Sequence, residues 1–244
     1  MKTLYIVLLI CFSYLTSIAQ PDGILDSTFG NNGAWISNSL ITGGRKIITA
    51  IDHSQNIFVA GSYSNSFALI KLNSQGVQDL TFANNGVSLT NFGFETNDCQ
   101  SMLIQTDDKI ILGGFSYNTA PFGGGQSQIS LIRLKNNGSV DSTFGINGKF
   151  IYNPYPNQFN AVAMGFQTDG KIIVVGEYFT SNTYLYAIRV TKEGLLDSTF
   201  SNNGVYIGYN NPFGPFEHVT SCAIKPNNKI LIGYNSTLNN TIVF

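Results

Sequence analysis

Along its length the chain alternates short apolar runs with clusters of Gly, Asn, Asp and Ser. The runs fall into repeating sets of four, and each set predicts four strands. Strand a follows an Asn-Gly pair, as in VSLT or KFIY. Strand b is KIITAI, SMLIQT, AVAMGFQT or SCAIKP. Strand c is NIFVAG, KIILGG, KIIVVG or KILIGY, and strand d is FALIKL, ISLIRL or LYAIRV. Asp107-Asp108, Asp169-Gly170 and Asn227-Asn228 stand between b and c. Asn and Gly accept the positive φ of a tight hairpin, so these pairs predict antiparallel connections.

The sets are tied together by one recurring phrase: LDSTFGNNG from Leu25, QDLTFANNG from Gln78, VDSTFGING from Val140 and LDSTFSNNG from Leu196. Its fixed members are Asp26, Phe29 and Gly33; Asp79, Phe82 and Gly86; Asp141, Phe144 and Gly148; Asp197, Phe200 and Gly204. Gly23, Gly76, Gly138 and Gly194 stand six places before the phenylalanines. Gly61, Gly114 and Gly176 close the c runs at one fixed offset after the first three of them. A four-stranded antiparallel sheet of this size cannot bury two apolar faces alone, so the sheets must stack. Radial stacking gives an all-β fold, a β-propeller of four-stranded blades with about four repeats, the last of them incomplete.

The phrase is expected to cross from strand d at the outside of one blade to strand a at the inside of the next, about 14 Å or three strand spacings. Its Phe would plug the space between blades, and its Asp and Ser or Thr would satisfy exposed amides. Lys71, Arg133 and Arg189 lie eight residues before Asp79, Asp141 and Asp197, which predicts an ion pair within each repeat. A calcium loop is the alternative, but the alternating acidic ligands and closing Glu are missing.

Only 11% of the 244 residues are charged and the net charge is −1, which gives no electrostatic reason to expect nucleic acid or an anionic membrane as partner. The N-terminal MKTLYIVLLICFSYLTSIAQ has one Lys, an apolar run and a small-residue ending. It reads as a secretory signal peptide over 1–19, with no membrane span in the remaining chain. Cys99 and Cys222 remain after it, and they either pair or stay as small buried thiols. Residues 20–244 divide into units at about 23–76, 77–138, 139–194 and 195–244.

The phrase G-x-L-D-x-T-F-G-x-N-G, the D-G-K-I turn and the I-R-L strand resemble the delta-60 repeat family over about residues 23–244. The resemblance implies a propeller exported by a bacterium. It carries no catalytic residues with it. The leader also resembles those of exported proteins from gliding-type Gram-negative bacteria, which implies secretion or display on the outer cell surface.

Function is expected where the repeats differ. The b–c and d–a connections keep their length and share one side of the blades; the a–b and c–d loops vary and share the other. These loops (NFGFETND, SYNTAPFGGGQ, YNPYPNQF, EYFTSNTY and YNNPFGPFEH) are rich in aromatic and amide side chains. Such a surface suits a glycan or a protein ligand. Tyr117, Phe122, Tyr155, Phe159, Phe213 and Phe216 are the binding candidates, unless their rings pack between blades. Catalytic signals are sparse: two His, His53 and His218, and four Glu, with no nucleophile elbow or metal-binding His pair. Glu217, His218 and Asp98 are the candidates for acid–base work in an extracellular polysaccharide lyase or hydrolase. A structural repeat portion of a larger surface protein is the third reading. No cofactor or metal site is expected.

Overall fold

The computed structural model describes residues 25–37, 46–118, 126–153, 158–179, 183–208 and 216–236. The expected leader, and with it residues 1–19, lies outside them. No helix among the described residues is long and apolar enough to cross a membrane. Every named element is a strand. The first sheet is β1 (Ile48–Ile51), β2 (Ile57–Tyr63), β3 (Ser66–Leu72) and β4 (Val87–Thr90). The second is β5 (Thr96–Ile104), β6 (Ile110–Asn118), β7 (Gln126–Leu134) and β8 (Lys149–Tyr152). The third is β9 (Gln158–Phe166), β10 (Ile172–Phe179), β11 (Thr183–Val190) and β12 (Val205–Gly208). The fourth pairs β13 (Phe216–Ile224) with β14 (Ile230–Ser236). Each sheet is antiparallel, with its strands side by side in chain order.

Strand order corrects one expectation. The phrase does not cross between sheets: β3 pairs directly with β4, β7 with β8 and β11 with β12. The strand after the phrase is therefore the outer edge of the same sheet, in the order b-c-d-a. The reason is local. Ala83, Asn85 and Gly86 all have positive φ (49°, 49° and 84°), so the phrase curls back on itself. Gly86 N–H closes on Phe82 O at 2.8 Å, and Asp79 N–H on Lys71 O at 2.9 Å. The Asp79 carboxylate accepts from Thr81 N–H and Oγ at 2.9 and 2.6 Å. Passage to the next sheet falls instead to the variable a–b connections, such as residues 91–95, and the natural repeat boundaries lie there.

The sheets stand in a row. β5 lies against β1, β2 and β3; β9 against β5, β6 and β7; β13 against β9, β10 and β11. First strands gather on the inside, and β4, β8 and β12 form the outer edges. This is propeller packing; among the described residues no such interface joins β1 to β13. A sheet covered on both faces has no reason to alternate apolar and polar residues. Accordingly, β6 and β10 are buried almost throughout, and β2 and β3 nearly so, whereas the short β1 alternates half-buried and exposed residues.

Each seam holds a phrase phenylalanine. Phe82, 2% exposed, packs with Phe58, Leu69, Met102 and Leu112 between the first and second sheets. Phe144, fully buried, joins Ile111, Leu131, Val174 and Ile188 between the second and third. Phe200, half-buried, meets Val175, Val219 and Ile232 between the third and fourth. A latch accompanies it. The residue after each of Phe29, Phe82 and Phe144 donates its N–H into the d–a turn of the following repeat: Gly30 to Gln75 O, Ala83 to Asn137 O and Gly145 to Glu193 O, at 2.7, 2.9 and 2.7 Å. The glycine that follows each acceptor sits against the preceding repeat's ring. A Cβ on Gly76 would lie 2.8 Å from Phe29 Cζ, on Gly138 2.7 Å from Phe82 Cζ, and on Gly194 2.8 Å from Phe144 Cδ2.

The expected ion pairs are present and also cross seams. Arg133 Nε donates to Asp141 at 2.8 Å, Nη2 to Thr143 at 2.9 Å and Nη1 to Lys192 O of the next repeat at 2.7 Å. Its guanidinium lies 4.9 Å from the Phe144 ring centre. Arg189 repeats this with Asp197, Thr199 and the ring of Phe200. Lys71 is looser: Asp79 is 4.0 Å away, and its hydrogen bond goes to Asn136 of the following repeat at 2.9 Å.

Candidate functional site

Antiparallel order places the b–c turns and phrases on one side of the stack and the a–b and c–d connections on the other. On the first side the b–c turns close alike, Asp52 N–H to Asn56 O, Gln105 to Lys109, Gln167 to Lys171 and Lys225 to Lys229. Bonds between turns also stitch the seams there, through His53 Nδ1–Asp108 Oδ1 at 2.7 Å and Thr168 N–H to Asn228 Oδ1 at 2.9 Å. The second side differs from sheet to sheet.

A β-bulge shapes the second side. Gln100 interrupts the pairing of β5 with β6, Val162 that of β9 with β10 and Thr220 that of β13 with β14. At the first two bulges the glycines closing the c runs leave the room, since a Cβ on Gly114 would collide with Asp98 O and on Gly176 with Asn160 O; at the third, Tyr234 stands in that place. Asp98, Asn160 and His218 are consequently equivalent, each the third residue of an inner strand and two residues before the bulge. Each stands across from the residue after the strand glycine or its counterpart: Phe115, Glu177 and Asn235.

Asp98 and His218 both reach back to the preceding sheet. Ser62 Oγ donates to Asp98 Oδ1 at 2.8 Å and accepts from Cys99 N–H at 2.9 Å. His218 Nδ1 lies 3.4 Å from Glu177 Oε1, which also accepts from Val219 N–H at 2.6 Å. Asn160 Nδ2 donates to Glu177 Oε2 at 3.3 Å, and Asn160 Oδ1 is buried without a hydrogen-bond partner. The Glu177 side chain is 3% exposed and that of His218 71%. Asn160, Glu177 and His218 thus form one connected group, a buried carboxylate holding an exposed imidazole.

The expected acid–base group is not assembled as such. Asp98 belongs to the seam between the first and second sheets and is 7% exposed, while His218 belongs to that between the third and fourth. Of Glu217 and Phe216 only the backbone, in β13, is described. Of the aromatic candidates, Phe122, Tyr155 and Phe213 fall outside the described residues. Tyr117 ends β6 half-exposed, stacked on Phe115 at 6.1 Å. Phe159 is 1% exposed, stacked on Tyr178 at 4.8 Å and edge-on to Tyr186 at 5.1 Å. It fills a seam and has no ring face to offer a ligand. Tyr63, Phe179 and Tyr184 are half-exposed at the same ends of their sheets. The Glu177 carboxylate was missed as a site residue, although a lone acid directly after a run of four apolar residues and a Gly is a sequence signal.

Cys99 and Cys222 are free thiols in different seams. Burial, with the Asp98 carboxylate nearby, pushes the Cys99 thiol up to about 12, and burial pushes Cys222 up to about 11. Neither is a nucleophile at neutral pH. Among the described residues, no three His, Cys, Asp or Glu side chains come together as a metal ion would need.

Compared with known families, the chain is similar to a domain of unknown function (DUF5122) beta-propeller, matched at residues 56–82, 105–144 and 167–200. Each matched stretch runs from a b–c turn to the phrase phenylalanine, so it spans strands c and d with the ion pair. The match supports an all-β propeller of repeated four-stranded blades. Among curated proteins nothing matches the chain.

Proposed function

We propose that this protein is a secreted or surface-displayed binding module of a Gram-negative bacterium. It takes a glycan or protein ligand on the side formed by the a–b and c–d connections. The asymmetry between the two sides carries this reading. One side is fixed by the same turn bonds in every repeat. The other varies in length and presents half-exposed Tyr63, Tyr117, Phe179 and Tyr184 beside amide and imidazole groups. Aromatic faces with polar groups around them suit ligands that are apolar on one surface and hydrogen-bonding at the edge. Export is supported by the leader-like N-terminus and the delta-60 resemblance. The test is binding of the full protein to immobilised extracellular glycans and matrix proteins. Tyr117→Ala should weaken capture, and an unaltered signal for that variant and for Tyr184→Ala would count against the reading.

A second reading, a lyase or hydrolase acting on polysaccharide, draws on the contact between His218 and the buried Glu177. Release of oligosaccharides from a polysaccharide, lost in His218→Ala, would establish it in place of simple binding.

A further inference from the structure

Glu177 is a buried carboxylate at a place where the repeat manages without one. The equivalent position, next after the strand glycine, is Ser62 in the first sheet and Phe115 in the second. A buried charge is destabilising unless it is paired or hydrogen-bonded. At that position Ser62 accepts Cys99 N–H across its seam with a hydroxyl, so the repeat asks at most for an acceptor there and does not ask for a charge. What the carboxylate does is local: it takes Val219 N–H and Asn160 Nδ2, and it faces His218 Nδ1 at 3.4 Å. With Nδ1 turned to the carboxylate, the neutral imidazole is held in the tautomer that leaves Nε2 as its acceptor toward solvent. The imidazole is otherwise in solvent, at the end of the stack where Phe179 and Tyr184 are half-exposed.

We propose that the Asn160–Glu177–His218 group is a saccharide subsite. His218 Nε2 accepts a hydrogen bond from a sugar hydroxyl, Glu177 is the positioning residue that fixes the imidazole, and a neighbouring half-exposed ring supports the apolar face of the sugar. The inference rests on the binding reading above and narrows it to a neutral polyhydroxylated ligand. The buried Glu177 carboxylate at the centre of the group disfavours an anionic ligand. A metal ion would need further ligands, and the described residues do not bring three together there.

The test uses the full protein and a panel of immobilised neutral oligosaccharides (glucan, xylan, mannan and chitin fragments), with affinities by calorimetry for any that bind. His218 is exposed, so His218→Ala should leave folding intact and weaken binding at least tenfold. Glu177→Gln keeps the shape and should weaken binding several-fold. It should also shift the His218 imidazole ¹⁵N resonances from a single Nδ1-protonated tautomer to a mixture, which a purely structural role would not do. His53→Ala, on the opposite side, should bind as wild type. Oligosaccharide binding that His218→Ala leaves unchanged overturns the subsite while the binding reading stands. Binding only to protein ligands overturns the saccharide assignment. Binding to neither class overturns both.

Discussion

Gly138→Ala probes the contact between repeats most sharply. Gly138 has φ +82°, and a Cβ there would lie 2.7 Å from both Phe82 Cζ and Ala83 Cβ of the preceding repeat, closer than real Cβ atoms approach. Holding Ala in that left-handed conformation costs about 1–2 kcal/mol. Forcing a methyl against a ring that is 2% exposed adds about 1–3 kcal/mol. The reduced freedom of the unfolded chain returns about 0.4–1 kcal/mol. The net expectation is a loss of about 2–4 kcal/mol. Gly93 is the matched control: its φ is +87° and nothing lies within 4 Å of a Cβ built on it. Gly93→Ala should therefore cost only the conformational part, about 1 kcal/mol. In a Phe82→Leu background the extra penalty of Gly138→Ala should shrink but not vanish, because the ring tip is gone while Ala83 Cβ still stands 2.7 Å away. Urea titrations followed by far-ultraviolet circular dichroism and by the fluorescence of Trp35, which packs on the first sheet, give the three differences. Equal costs for Gly138→Ala and Gly93→Ala, or the same penalty with and without the Phe82 ring, would refute the reasoning.

Arg133→Met strips Asp141 of its closest cation and cuts the bond to Lys192 O; Lys109 Nζ, 3.5 Å from Asp141, offsets part of the loss. A drop of about 3 kcal/mol is expected, against less than about 1 for Lys71→Met at its longer, more exposed pair, both read from urea midpoints. Burial alone would raise the Asp141 carboxyl, but Thr143 hydrogen bonds and the Arg133 and Lys109 charges bring it down to about 2 from an ordinary 3.8. Its stabilisation is then complete above about pH 4 and fades as pH falls toward 2, so urea midpoints should hold from pH 7 to 5 and drop below 4, less steeply in Asp141→Asn. Cys99 should resist a thiol reagent at neutral pH until the protein unfolds, and rapid labelling in the native state would contradict its burial.

The stacking was legible because period and composition both report it. Phe82 and Phe144 recur at fixed spacing, and their burial follows from an apolar residue set among turn formers. The direction of the phrase was not legible. Whether d joins the next strand within a sheet or across a seam depends on positive φ at three of the four residues after the phenylalanine. Two of the residues that adopt it, Ala83 and Ser201, are not glycine and give no signal. The role of Gly76, Gly138 and Gly194 was hidden for another reason: each touches the ring of the preceding repeat, not the one six residues onward. In the candidate site the exposed His218 could be picked from sequence, but its partner could not. Glu177 comes close only because β13 of the fourth sheet packs on β10 of the third.

Nuclear Overhauser contacts between the ring protons of Phe144 and the α-protons of Gly194 test the central claim most directly. The account predicts strong cross-peaks together with a large ring-current shift of the Gly194 α-protons. Absent cross-peaks, with Gly194 at random-coil shifts and the Phe144 ring accessible to solvent, would contradict it.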